Sequence, residues 1–403
     1  MNYIPKHIFI LFIIMLMNGC KKVNEHCNLN AYQNAPTQNW YKSHSGSLEE
    51  AHGHFILTCS DGGFLQVGET GFLKSSSKIL VVKTDSEGSL LWKKEFSTGN
   101  KNLGNSAIET TDGYLIAGML NENSALIKLD KTSGTTMFEK TFNNGGNNAI
   151  EHLAITSTNI IAAGYKNAQD NTNTFYTEGE GCITFLDLNG NKISNQDINS
   201  FMAHAYRIKY FNNELLISGL TEGASDYALM KMDTAGTVIW NKTFGGNEGD
   251  HCFGMDINNS GEIFLTGHTK SGTENWDTYT IKLDNNGNKI WELKAGNPRG
   301  FKPKFIHDEA WGIKATADGG CIVVAGTGDE YGRYKRKCGN DGDNSNTWKV
   351  YLIKINSSGT IDWQQTYGGE GNWAGEDIDL TPDGAAIIAV DDGQFGFLKI
   401  NGI

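Results

Sequence analysis

The sequence predicts an all-β protein, a seven-bladed β-propeller closed by an N-terminal strand that completes the last blade. Three observations predict it. A strand-turn-strand unit recurs along the chain, each copy follows a second hairpin of its own, and the two ends of the repeating region complement one another. Repeats of roughly 40 to 50 residues are the mark of propellers and solenoids.

The recurring unit runs from Asp226 through Lys231, Asp233 and Gly236 to Trp240, and again from Asp277 through Lys282, Asp284 and Gly287 to Trp291. Its Lys-x-Asp/Asn element appears at Lys83/Asp85, Lys128/Asp130, Lys231/Asp233, Lys282/Asp284, Lys354/Asn356 and Lys399/Asn401, with Leu186-Asp187-Leu188 as a degenerate copy, which makes seven units. Gly88, Gly134, Gly190, Gly236, Gly287 and Gly359 follow as turn glycines able to adopt the positive φ of a tight hairpin. In four units a tryptophan stands seven residues after the Asp or Asn: Trp92, Trp240, Trp291 and Trp363.

Upstream of these hairpins lie turns at Asp61-Gly62-Gly63, Asp112-Gly113, Asn212-Asn213, Ser260-Gly261, Asp318-Gly319-Gly320 and Pro382-Asp383-Gly384, each leading into a short apolar or β-branched run. Four strands per unit make a propeller blade. A solenoid would use shorter repeats and need capped ends. Here the last unit stops after Phe397 to Gly402 without its tryptophan strand, and Asn39 to Gly46, carrying Trp40, supplies that strand ahead of the first unit.

Before the repeats, Lys6 and His7 precede an apolar run from Ile8 to Met17, then Asn18-Gly19-Cys20. The run is shorter than the ~20 apolar residues of a membrane span and reads as a signal-peptide core. Leu16 to Cys20 resembles a lipoprotein cleavage box, so the expected organisation is a signal peptide over 1–19, a lipidated Cys20 with a flexible polar tether over 20–38, and the propeller over 39–403. Several acyl chains, palmitate among them, give stable anchoring without a further membrane segment. Lys21 does not resemble an inner-membrane retention residue, which favours the outer membrane on either its periplasmic or its surface side. Of the other cysteines, Cys59, Cys182, Cys252 and Cys321 lie in strand-like text and read as buried thiols, while Cys27 and Cys338 lie in polar loops where they are free to pair. The formal net charge of −12 argues against nucleic acid as a partner.

The Asp-to-Trp hairpin in four strict copies, within units covering residues 39 to 402, resembles the PQQ-like-repeat, tryptophan-docking propellers. That family includes scaffold lipoproteins of outer-membrane assembly machines and quinoprotein dehydrogenases. The resemblance implies a packing role for Trp40, Trp92, Trp240, Trp291 and Trp363 against the neighbouring blade. The chain departs from the pattern in Gly-Gly pairs at 145–146, 245–246 and 368–369, in having seven units where the dehydrogenases have eight, and in lacking their adjacent cysteine pair. Quinone chemistry is therefore not implied, and no cofactor is expected.

Propeller ligands usually sit over the central channel. Counting back from the strand glycines puts His52, His204, Phe253 and Trp311 at equivalent entries to the innermost strands, with His152, His251, Glu309 and Trp373 within a residue or two. Two readings stand together: a rim that binds a polypeptide or a sugar through aromatic and imidazole groups, and inward-facing channel residues bonded to water or backbone. A metal reading has only the short His52/His54 spacing behind it, and no metal is expected. Asp341, Asp343 and Ser345 alternate like calcium ligands but lack the later bidentate glutamate of a helix-loop-helix site. A long insertion holds the one basic aromatic patch, Tyr331, Arg333, Tyr334, Lys335, Arg336 and Lys337, suited to lipid phosphate, an acidic glycan or an acidic partner.

No GxSxG, HExxH, CxxC or phosphate-loop motif is present. The expectation is a lipid-anchored, non-catalytic propeller serving as a scaffold subunit of an outer-membrane complex, with an integral barrel or other lipoproteins as partners. The alternatives are a surface lipoprotein that captures glycan or peptide for a transporter, and a carbohydrate-active hydrolase or lyase.

Overall fold

The computed structural model describes residues 35–71, 76–169, 179–299, 306–328, 348–369 and 371–403. Apart from one 3-10 turn at Glu222–Ala224, its regular elements are strands, arranged as seven four-stranded antiparallel sheets.

The chain enters through β1 (Gln38–His44) and then lays down blade one, β2 (Ala51–Thr58), β3 (Phe64–Thr70), β4 (Lys78–Thr84) and β5 (Leu90–Phe96). Blade two is β6 (Asn102–Glu109), β7 (Gly113–Leu120), β8 (Asn123–Asp130) and β9 (Thr136–Phe142). Blade three is β10 (Asn147–Ile155), β11 (Asn159–Ala168), β12 (Glu180–Asp187) and β13 (Lys192–Asp197). Blade four is β14 (His204–Phe211), β15 (Glu214–Leu220), β16 (Tyr227–Asp233) and β17 (Val238–Phe244). Blade five is β18 (Asp250–Ile257), β19 (Ile263–Thr269), β20 (Asp277–Leu283) and β21 (Lys289–Ala295). Blade six is β22 (His307–Ala315), β23 (Cys321–Gly328), β24 (Lys349–Ile355) and β25 (Ile361–Tyr367). Blade seven takes β26 (Ala374–Leu380), β27 (Ala386–Asp391) and β28 (Phe395–Ile400) from the end of the sequence, and β1 pairs on β28 as its fourth strand. The register sets Trp40 against Lys399 and His44 against Phe395, so the ring closes as the ends of the sequence predict.

Burial follows strand position. The second strands are buried on both faces, as in β3 and β7, whereas outer strands such as β5 and β9 alternate with solvent. Apolar clusters form between successive blades: Val67 and Val81 meet Tyr114 and Ile116 between blades one and two, and Phe64 and Leu80 meet Phe395 and Phe397 across the closure. The recurring sequence unit has a matching physical content. Asp85 Oδ1 accepts from the Glu87 and Ser89 amides, at 2.9 and 2.7 Å, which tightens the turn. Gly88 takes φ +75°, and a Cβ there would stand 2.7 Å from the Trp40 ring. Trp92 covers Gly134, Trp240 covers Gly287 and Trp291 covers Gly359 in the same way, each tryptophan capping the turn of the next blade. The repeated lysine bends back into its own blade, Lys83 to Asp61 at 2.9 Å, Lys128 to Asp112 at 2.7 Å and Lys354 to Asp318 at 2.6 Å.

Cys59, Cys182, Cys252 and Cys321 are buried free thiols. Burial pushes the Cys59 and Cys252 thiols up to about 12, out of the reactive range. Cys20, Cys27 and Cys338, the leader and most of the tether lie outside the described residues.

Candidate functional site

Each innermost strand shifts register at one equivalent place, and β10 does so a second time, between Asn147 and Ala149. The register jumps between Gly53 and Phe55, Gly104 and Ser106, Ile150 and His152, Ala205 and Arg207, Cys252 and Gly254, Ala310 and Gly312, and Gly375 and Asp377. A bulge adds one unpaired residue and re-aims it. The seven extra residues are His54, Asn105, Glu151, Tyr206, Phe253, Trp311 and Glu376, and all of them line a cavity of about 80 Å³ in the half of the channel where the inner strands begin.

The bulges sort the predicted rim into layers. Phe253 and Trp311 are bulge residues, whereas His52 and His204 sit two residues earlier with His251 and Glu309; the four predicted as equivalent therefore belong to two layers. His152 lies one residue past its bulge, deeper in the channel. Trp373 stands apart from the rim: it stacks on Tyr41 with ring centroids 3.8 Å apart, inside the core between blades six and seven. Five second strands place a glycine opposite the residue just before the bulge, whereas in blade six Gly326 pairs with Glu309, one residue off, and blade seven has Val390 there, so the strand glycines mark the layers unevenly. Tyr331, Arg333, Tyr334, Lys335, Arg336 and Lys337, together with Asp341, Asp343 and Ser345, lie outside the described residues.

On one side of the mouth the rings form a continuous arc over blades three to six. Tyr165 meets His204 at 4.3 Å, His204 stacks on Tyr206 at 4.1 Å, Tyr206 meets Phe253 at 4.8 Å and Phe253 meets Trp311 at 4.4 Å. From there His268 and Trp276 continue the arc to His251, whose Nδ1 lies 3.2 Å from His268 Nε2. Burial, and then the neighbouring His251, hold the His268 pKa well below the ordinary imidazole value. Trp276, Trp311 and Tyr206 remain half-buried. Beside Trp276 opens a polar hollow of about 470 Å³ lined by Glu248, His251 and Lys270 among others, with the Lys270 ammonium 4.3 Å from the Trp276 ring centroid.

The opposite side of the mouth, between blades one and seven, is ionic. His54 Nε2 lies 2.9 and 3.0 Å from the two Glu69 carboxylate oxygens, and His52 Nδ1 lies 3.4 Å from the same group. His52 Nε2 faces Asp391 at 3.2 Å and Glu376 at 3.8 Å. Burial disfavours a charged His52, but Asp391, Glu376 and Glu69 outweigh it and raise its pKa well above the ordinary value. Sequence reasoning passed over Glu69 and Asp391 because they come from β3 and the end of β27, far from the strand entries that were counted.

Farther along, the channel widens into a cavity of about 720 Å³. Three residues past the bulge the lining is apolar in blades one to three, at Leu57, Ile108 and Ala154, and alternates in sign over blades four to seven, at Lys209, Asp256, Lys314 and Asp379. Lys209 pairs with Asp256 at 3.0 Å and Lys314 with Asp379 at 2.8 Å. Burial opposes the Lys314 charge, yet Asp379 and Asp256 raise its pKa. His152 lines the same cavity, and burial followed by Arg207, Lys209 and Lys314 holds its pKa well down. Arg207 touches both cavities, so its side chain is the partition between them.

The fold and this channel define the class, a seven-bladed β-propeller with a two-chambered axis. No protein-family model matches the chain, and no curated protein does. Solved structures similar to it include the WD40 domain of Neurospora crassa Pan2, at a TM-score of 0.59 and 12% identity over 92% of this chain and 97% of that one. A catalytically inactive virginiamycin B lyase from Staphylococcus aureus with quinupristin is similar at 0.57 and 13% over 90% and 99%, and Kuenenia stuttgartiensis hydrazine synthase at 0.55 and 10% over 89% and 97%. At such identities the likeness is one of fold.

Proposed function

We propose that this chain is a lipid-anchored, non-catalytic propeller that docks a protein partner as a scaffold subunit of an outer-membrane complex. The observation that carries the docking role is the aromatic arc: Tyr206, Trp276 and Trp311 stand half-buried on one face of the ring, held by their neighbours. Rigid aromatic anchors bury large area at little entropic cost, and such groups dominate the energy of protein interfaces. The anchor is argued from Cys20 and its preceding leader, with the polar stretch behind it as the arm. Mild crosslinking in cells followed by purification is expected to recover an integral membrane partner, to lose most of it in the Trp311→Ala and Trp276→Ala variants, and to find Cys20→Ala released from the membrane fraction. Recovery of the wild-type chain alone, or undiminished recovery of partner with both tryptophans removed, overturns the reading.

The hollow beside Trp276 favours a second reading, capture of a glycan or peptide for a transporter, because an aromatic face next to Lys270 and Glu248 offers stacking and polar contacts together. Retention of the purified protein on polysaccharide gels, weakened by Trp276→Ala, supports that reading; retention unchanged by the substitution removes it.

A further inference from the structure

We propose that the junction of blades one and seven binds one divalent transition-metal ion of the zinc type through His52, His54 and Glu69. Local structure assembles the three. Glu69 stands directly across the β2/β3 ladder from His52, and the bulge at His54 brings the second imidazole to the same carboxylate. The candidate donor atoms of the three side chains lie within 4.8 Å of one another. Donors bound to one ion at about 2.0–2.2 Å stand roughly 3–3.5 Å apart; the separations to Glu69 of 3.0 and 3.4 Å fall in that range and the third, 2.9 Å, lies just below it.

Two imidazoles and a carboxylate suit zinc and its transition-metal neighbours better than calcium or magnesium, which prefer all-oxygen sites. The surroundings support the same ion. His52 reaches Glu69 with Nδ1 and turns Nε2 to Asp391 of β27, with Glu376 of β26 behind, the outer carboxylates that fix a ligating ring and raise its basicity. Glu69 is fully buried and Glu376 nearly so. With Asp391, three carboxylates meet two imidazoles, and a dication balances that charge. His54 and Glu376 line the 80 Å³ cavity that Tyr206, Phe253 and Trp311 also line, so a fourth coordination position opens toward the aromatic arc. Sites with three protein ligands commonly keep such an open position.

The test uses the purified, untagged chain, stripped by chelator and titrated with Zn²⁺ by calorimetry, with Co²⁺ as a visible-absorption probe. One equivalent is expected. His54→Ala and Glu69→Gln each weaken binding by about 100-fold or more, and Asp391→Asn, which alters only the outer contact, by about 10-fold to 100-fold. Far-UV circular dichroism checks folding, and His54→Gln replaces the alanine variant if that one does not fold. Absence of stoichiometric binding, or binding untouched by His54→Gln and Glu69→Gln, overturns the proposal. No partner enters the measurement, so its failure and failure of the docking role are separate results.

Discussion

Arg207 of blade four crosses the channel to Asp377 of blade seven, with its Nη2 3.5 Å from Oδ1. The intervening positions in blades five and six are Gly254 and Gly312, and a Cβ on Gly312 would stand 2.8 Å from Asp377 Oδ1. On the way the guanidinium donates from Nε to the Phe253 carbonyl at 3.1 Å and lies 5.9 Å from the Phe55 ring centroid. Asp377 Oδ2 in turn accepts from the Ile56 amide at 3.1 Å. One ion pair therefore links four blades through the axis.

Removing one partner of such a buried pair strands the other. Arg207→Ala is expected to destabilise the protein by about 3–5 kcal/mol and to join the two chambers. Adding Asp377→Asn should recover part of that loss. Chemical denaturation of both single variants and the double variant measures the coupling, and simple additivity would refute a direct interaction.

The tryptophan caps make a second prediction. Gly359 holds φ +85° with the Trp291 ring 2.8 Å from where a Cβ would be. Gly359→Ala forces an unfavourable left-handed residue and displaces the ring, a loss of roughly 1–3 kcal/mol. Gly384→Ala has φ +79° but nothing within 4 Å, so it should cost only the backbone part. Equal losses at the two sites would show that the ring contact contributes nothing.

Asp308 carries the pH dependence. Burial pushes its carboxyl up to about 7; Thr327 and the Asn297 amide pull it down, and nearby Asp277, itself raised by burial to about 6, pushes it further up. A folded-state pKa above the unfolded value means the native protein holds more protons between roughly pH 4 and 7. The stability these groups contribute is complete below about pH 4 and lost as pH rises through 6 and 7. Thermal melts of Asp308→Asn should decline less than wild type between pH 5 and 8 and lie higher at pH 8, by roughly 1–3 kcal/mol. Parallel curves would contradict this assignment.

Deleting residues through His44 exposes β28 as an open edge and takes away Trp40 from Gly88 and Tyr41 from Trp373. The shortened chain is expected to melt at lower temperature and to associate on size exclusion, since an unpaired edge templates pairing with another chain. A monomer of unchanged stability would mean that the closure contributes nothing.

The blades were legible because their signals are local. The Lys-x-Asp element, turn glycine and tryptophan fall within one hairpin, and each records a contact of that hairpin or of the next blade. Ring closure was legible for the same reason, as a hairpin lacking one strand at one end and a spare strand at the other. The channel was not. A bulge shifts the period-two alternation without a residue type of its own, and the span from it to the strand glycine varies, Ala205 to Gly219 against Cys252 to Gly267, so counting back from glycines groups His204 with Phe253 although they lie in different layers. Pairings such as Arg207 with Asp377, or His52 with Asp391, join residues far apart in the chain, and only the curvature of the ring brings them together.

The closing strand also sets the order of events in folding. Asn39 and its hydrogen-bonding partner Asn401 are 362 residues apart, so β1 is made first and waits for nearly the whole chain before β28 exists to receive it. Contacts of such long range slow folding and leave intermediates open to association. The segment that waits is short, with Gln38, Asn39, Lys42, Ser43 and His44 among its seven residues. Shortness and a lysine near its centre are what blunt an unpaired strand against pairing with another chain before the last blade arrives.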